Sequence, residues 1–186
     1  MNLTATTIPG CFVVAPDAHT DARGSLTKTF AASRFAMAGL TAPFREHFYS
    51  RSRRGVLRGL HVQAPPHDGA KLVVCALGEV LDVVVDLRVG SPSFGRPLSH
   101  RLHGPGDALF VPAGVAHGFY VLSDECLLCY STTAEYAPPS DDGIHWESVG
   151  APWPDHDPIV SPRDARLRPF TDYRSPFVYA PAGAPA

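Results

Sequence analysis

From residue 25 to about residue 132, apolar residues recur at every second position in short runs separated by turn-forming residues, the period of half-buried strands. The runs predict strands over 25–30, 44–52, 56–62, 71–77, 79–88, 108–111, 116–122 and 125–132. Only 31–40 has helix-like spacing, through Phe35, Met37 and Ala38, and Gly39 weakens it. Seven or eight consecutive strands with one short helix predict an all-β jelly roll or barrel. The run 79–88 places Leu81, Val83, Val85 and Leu87 on one face, the core side, and Val80, Asp82, Val84, Asp86 and Arg88 on the other. Carboxylates beside an arginine on a barrel wall suit either ligand contacts or satisfied ion pairs, and they are given no catalytic role. Past Pro138 the pattern loosens into Pro-, Asp- and Trp-containing loops. The chain reads as one domain over 1–175, followed by a small-residue tail, 176–186, expected to be mobile.

The 186 residues suffice for one domain with a sizeable core and are too few for two. A hydrophobic content of 45% excludes disorder for most of the chain, and 16 Gly with 19 Pro against 18% charged residues fits many strands and turns. Lys and Arg number 16 and Asp and Glu 18, a net charge of −2, so no overall field favours nucleic acid or an anionic membrane. An anionic ligand must be met by a local cluster. The N-terminal MNLTATTIPGCFVVAP has no basic leader, and no apolar run approaches the ~18 residues that span a bilayer. A soluble cytoplasmic protein is expected, with Cys11, Cys75, Cys126 and Cys129 reduced. Cys126 and Cys129 spell C-L-L-C, but they lack a second pair and fall on opposite faces of a strand, which favours core cysteines over zinc.

Gly106-Asp-Ala-Leu-Phe-Val-Pro112-Ala-Gly114-Val-Ala-His117 has the spacing G-x5-P-x-G-x2-H, which resembles the second motif of the cupin superfamily. A strand, a Pro/Gly turn and a returning strand would aim His117 into a cupin-type jelly-roll barrel. Metal-holding cupins also show H-x-H followed by Glu, and here that stretch reads Gly59-Leu-His61-Val-Gln63-Ala-Pro-Pro-His67-Asp68. Gln63 stands where the second histidine would be, and an amide oxygen is a poor ligand for a first-row metal, so neither metal nor cofactor is expected. Two inward histidines without metal are available for acid–base work.

The segments Asp21-Ala-Arg23-Gly24, Gly55-Val-Leu-Arg58-Gly59-Leu-His61-Val-Gln63, Ala70-Lys71-Leu72, Gly78-Glu79-Val-Leu-Asp82, Ala116-His117-Gly118-Phe119 and Trp153-Pro154 together resemble the dTDP-4-dehydrorhamnose 3,5-epimerase family, over nearly the whole chain. The resemblance implies a metal-free cupin homodimer that takes a 4-keto-6-deoxy sugar linked to a nucleoside diphosphate and inverts the carbons beside the ketone. It implies His61 as the base, Asp164 in Ser161-Pro-Arg163-Asp164 as the carboxylate that orients it, and Tyr130 as the acid across the sugar ring. Lys71 and His117 match positions near the C4 oxygen and substrate. Arg23 and Arg58 match diphosphate ligands, Arg23 on an N-terminal strand that reaches the neighbour's site. Gln63 and Tyr136 complete the substrate-binding set, Tyr136 as an aromatic wall. The residue types suit the chemistry, because a hydrogen α to a ketone is weakly acidic and its removal needs a placed base and a donor for the enolate oxygen.

Two departures stand out. The family's Gln-x-Asn-x-Ser pattern is here Glu46-His47-Phe48-Tyr49-Ser50, so Glu46 and Phe48 must meet the substrate differently from a pair of amides. Lys28 replaces a glutamate that contacts the nucleotide. The nucleobase (dTDP, CDP or GDP), the sugar (hexose or heptose) and the centres inverted (C3, C5 or both) stay open. A lysine at a strand edge is ordinarily a solvated gatekeeper, so the role of Lys71 rests on the resemblance. Arg51, Arg53 and Arg54 read as a solvated hairpin tip that adds positive potential for a phosphate. Two other readings remain: a metal-dependent cupin isomerase or oxygenase using His61, His117 and Gln63 with His67, and a non-catalytic sugar-nucleotide binder.

Overall fold

The alternating runs pair into two antiparallel sheets, in a computed structural model that describes residues 1–181. The six-stranded sheet runs in the order β1 (Asn2–Ala5), β2 (Phe12–Ala15), β10 (Ala108–Val111), β7 (Lys71–Leu77), β12 (Glu125–Thr132) and β5 (Glu46–Arg53). The five-stranded sheet runs β13 (Asp141–Gly143), β6 (Leu57–Gln63), β11 (Val115–Val121), β8 (Glu79–Asp86) and β9 (Pro97–His103). A third pair, β3 (Asp17–Asp21) with β4 (Gly24–Lys28), hydrogen-bonds only to itself. The result is an all-β jelly roll with one six-residue helix, α1 (Ala32–Met37), and a few single-turn helices.

Between the sheets, Val73 and Cys75 of β7 and Cys126 and Leu128 of β12 meet Val80, Leu102, Phe119 and Val121 of the other sheet, all at most 1% exposed. Each such side chain contributes on the order of 1.5–3 kcal/mol of burial. Cys126 and Cys129 do lie on opposite faces, Cys126 in this core and Cys129 against the layer that holds Phe35 of α1. Phe35 is buried, but Met37 turns outward at 80% exposure, so α1 is shorter and less amphipathic than the spacing suggested.

Several expectations need correction. The face of β8 read as the core side is not the barrel interior: the other face, with Val80, Asp82, Val84 and Asp86, is, and Asp82 and Asp86 are 1% and 0% exposed in ion pairs. Leu87, Val85 and Val83 on the first face are covered by Ile144, Tyr173 and Phe177 from the C-terminal segment. The domain therefore continues past residue 175, with the Tyr179 N–H donating to Val89 O at 2.9 Å. The remainder of the expected tail, 182–186, lies outside the described residues. The turn after β10 does not close a hairpin, because β10 and β11 belong to different sheets and the Pro112–Gly114 corner carries the chain from one to the other. Strands β1, β2, β3, β9 and β13 escaped the alternation because they are short or, in β9, because Leu98 and Leu102 are its only large apolar residues.

One backbone contact shapes the site. Opposite the register shift between His117 and Phe119, a Cβ on Gly59, whose φ is +130°, would lie 2.5 Å from Gly118 Cα, and one on Gly118 would lie 2.6 Å from Arg58 O. Only two glycines allow β6 and β11 to approach this closely.

Candidate active site

The open end of the barrel holds a cavity of about 530 Å³ whose walls come from both sheets. Alternation on β6 turns His61 and Gln63 toward it, the extra β6 residue at the register shift brings Arg58 to the same side, and the direct pairing of His117 with His61 adds a second imidazole. From the facing sheet come Glu46, Phe48 and Ser50 on β5, Lys71 on β7 and Tyr130 on β12.

The His61 Nε2–H donates to Asp164 Oδ1 at 2.8 Å, and Gly59 N–H donates to Asp164 Oδ2 at 3.1 Å. Burial would raise the carboxyl pKa of Asp164, but these bonds outweigh it and hold the group below the usual carboxylate range. With its proton fixed on Nε2, the ring keeps Nδ1 as the acceptor. Asp164 sits in a single helical turn, Asp164–Arg166, 3% exposed, behind His61 rather than on the cavity wall.

A second imidazole–carboxylate pair lies deeper, His117 Nε2 to Asp82 Oδ2 at 2.7 Å, and Asp82 Oδ1 is buried without a partner. Tyr130, 8% exposed, has its phenol pKa raised by burial, so the hydroxyl stays protonated at neutral pH. Its ring is stacked on Phe48 and lies edge-on to His117. Lys71 is no solvated gatekeeper: it is half-buried, its Nζ lies 3.5 Å from His61 O, and burial lowers its pKa to about 8 against the pull of Asp82 and Asp141.

Other positions serve the walls. The Gln63 amide is occupied by backbone, accepting from Ala137 N–H at 2.7 Å and donating to His67 O at 2.7 Å, so it straps the neighbouring loop to β6 instead of offering a free contact. Glu46 accepts from Tyr136 N–H at 2.8 Å, and the Tyr136 hydroxyl donates to Asp141 Oδ2 at 3.1 Å. Arg163 Nη2 donates to Asp141 Oδ1 at 2.6 Å. Arg58 donates from Nε to Ser52 Oγ at 3.1 Å and separates the cavity from a second cleft of about 580 Å³ that Arg51, Arg53 and Arg163 also line. Arg51 and Arg54 are paired with Glu125 and Asp124. Of the expected site residues, Asp164 reaches the cavity only through His61, and Arg23 is remote from it: it sits exposed at the tip of the β3–β4 hairpin, paired with Asp21.

Asp82, Ser50, Asp141 and Arg163 line or support the site without having been assigned to it from sequence. Asp82 had a legible signal, a carboxylate at an inward position of an apolar strand. Asp141 opens a three-residue strand and Arg163 lies in an irregular segment, both too short of a period to point to a face. Among the described residues no three His, Cys, Asp or Glu side chains converge as a metal-binding group.

The sequence model of dTDP-4-dehydrorhamnose 3,5-epimerase matches residues 5–172. The chain belongs to this family. It is 39% identical over 176 residues to the dTDP-4-dehydrorhamnose 3,5-epimerase of Shigella flexneri, covering 92% of this chain and 97% of that enzyme. It is 38% identical over 168 residues to the dTDP-4-dehydrorhamnose 3-epimerase of Streptomyces niveus, covering 88% and 81%. Among solved structures, the crystal structure of dTDP-6-deoxy-D-glucose-3,5-epimerase RmlC from Legionella pneumophila, in complex with dTDP-4-keto-L-rhamnose, superposes with a TM-score of 0.90 at 35% identity, covering 96% of this chain and 98% of that one. This member of the epimerase family is thus an isomerase of the cupin-type jelly-roll class.

Proposed function

We propose that the chain inverts C3, C5 or both of a 4-keto-6-deoxy sugar carried on a nucleoside diphosphate. The observation that carries the reading is that His61 and Tyr130 reach one cavity from opposite sheets, β6 and β12, so a sugar ring can lie between a base and an acid. His61 Nδ1 takes the proton α to the ketone, and Asp164 stabilises the imidazolium that forms. Charge moves onto the C4 oxygen, where the Lys71 ammonium and the His117 ring are the available partners. Tyr130 then protonates the carbon from the other side, giving the inverted centre, and its phenolate regains a proton from solvent. Arg58 binds the diphosphate with its forked cation.

The resemblance to relatives named for dTDP sugars supports a dTDP-linked substrate, and Lys28 makes CDP- and GDP-linked sugars the competitors to test. The protein acts in the cytoplasm as a homodimer of single-domain chains, in which the β3–β4 hairpin hands Arg23 to the partner's cavity. Its free-standing pairing supports this arm.

Incubation in heavy water with dTDP-, CDP- and GDP-4-keto sugars, read by NMR, tests the reading. Deuterium at C3 or C5 of an inverted product is expected, and its position gives the regiochemistry. The reading is overturned by absence of label with every sugar, which leaves a binding protein, or by loss of activity on chelation with recovery on adding a divalent metal. The engaged Gln63 amide argues against a metal site.

A further inference from the structure

Where the family pattern has an amide, this chain puts Phe48, and the ring has a definite partner. Phe48 on β5 pairs in register with Tyr130 on β12, and the two rings stack with centroids 4.7 Å apart and planes within 10°. The His117 ring stands edge-on to Tyr130 with centroids 6.2 Å apart. The phenol is therefore held by two rings, and the stacked one comes from a strand at the open edge of the six-stranded sheet, where Phe48 is 48% exposed and faces the cavity. A side chain that donates and accepts nothing is an odd choice for a sugar-binding wall, but it is well suited to fixing a neighbouring ring.

We propose that Phe48 is a positioning residue that holds the Tyr130 phenol toward the enolate and so sets how often the enolate is protonated with inversion. This rests on the reading of His61 as base and Tyr130 as acid. The enolate has two proton sources: return from the His61 imidazolium regenerates the original configuration, and delivery from Tyr130 inverts it. In heavy water the first route leaves deuterium in recovered, uninverted sugar once the imidazolium has exchanged, and the second leaves it in product. The ratio of the two at early times reports on the phenol's placement. It does not follow from substrate affinity or from the amount of folded enzyme, either of which changes both routes together.

The variants are Phe48→Leu, which keeps apolar bulk without a ring, Phe48→Asn, which restores the amide, and Phe48→Tyr, which keeps the stack. A stacked pair is worth a factor of about two to ten, so Phe48→Leu and Phe48→Asn should raise the ratio of uninverted to inverted label by about that factor, while Phe48→Tyr keeps the wild-type ratio. Because Phe48 is half exposed at a sheet edge, melting temperatures close to wild type should accompany all three. A wild-type ratio in both Leu and Asn variants, or a Tyr variant that behaves like the Leu one, overturns the role of Phe48 alone. A wild-type enzyme that introduces no deuterium overturns the base-and-acid reading and this inference with it.

Discussion

His117 and Asp82 form a buried pair at the floor of the cavity, Nε2 to Oδ2 at 2.7 Å, with side chains 5% and 0% exposed. The second oxygen of Asp82 has no partner. Two imidazole–carboxylate pairs thus share one site, one at the wall and one beneath it. The deeper one fixes which nitrogen of His117 faces the cavity. Replacing Asp82 by Asn keeps the volume and removes that control, and turnover should fall about a hundredfold with KM little changed, on the scale of losing one enolate-stabilising donor. Steady-state kinetics on the preferred sugar checks this, and a change confined to KM would show that Asp82 only supports binding.

His61→Asn should abolish deuterium uptake, a loss of at least 10²- to 10⁴-fold for removal of a general base. Tyr130→Phe should slow completed inversion more than exchange. Equal losses of both in the tyrosine variant would contradict protonation from two faces.

Lys71 gives the pH profile its expected shape. Its pKa of about 8 lies below the ordinary 10.5, so the ammonium is cationic below pH 8 and neutral above it. If it stabilises the enolate, kcat declines as pH rises through 8, and Lys71→Met removes that decline along with roughly 10²-fold of the rate. The unfolded chain keeps the lysine proton up to about 10.5, so it binds more protons than the fold between these values, and wild-type stability rises with pH across that window. Lys71→Met should therefore be the more stable protein at pH 7, measurable by denaturant unfolding.

Asp86 is the structural counterpart of Asp82. It accepts from Arg88 Nη2 at 2.8 Å, Ser91 Oγ at 2.6 Å and Ser93 Oγ at 2.7 Å. Burial alone would raise its pKa, but these donors hold it below the usual range. Its contribution is present above the unfolded value near 4 and disappears as pH falls through the lower folded value. Asp86→Asn should cost about 3 kcal/mol at pH 7, or about 6–12 °C in Tm. The deficit should shrink near pH 3, and a deficit independent of pH would mean that packing, not charge, is lost.

Much of this was legible in the chain. The period-two runs located the long strands, and the ordered motifs located His61, Lys71, His117 and Tyr130, because each sits on a regular strand whose alternation sets its direction. Asp164 lies 103 residues from the imidazole it orients, in a single helical turn without a period, and only the resemblance pointed to it. Asp82 was read opposite the core side of β8, and that its face is the barrel interior was not legible because the imidazole that pairs with it arrives from β11. The engagement of Gln63 and Glu46 with the 134–137 loop was invisible, since backbone partners leave no mark in composition.

The contact of Gly59 with Gly118 bears on engineering. A methyl group at either position collides with main chain of the neighbouring strand, and no rotamer change relieves a clash with backbone. A library randomised there would return the parental pair or unfolded protein. New sugar tolerance is better sought on β5 and in the loop after β12, where Phe48 and Tyr136 are open to solvent and a substitution has somewhere to go.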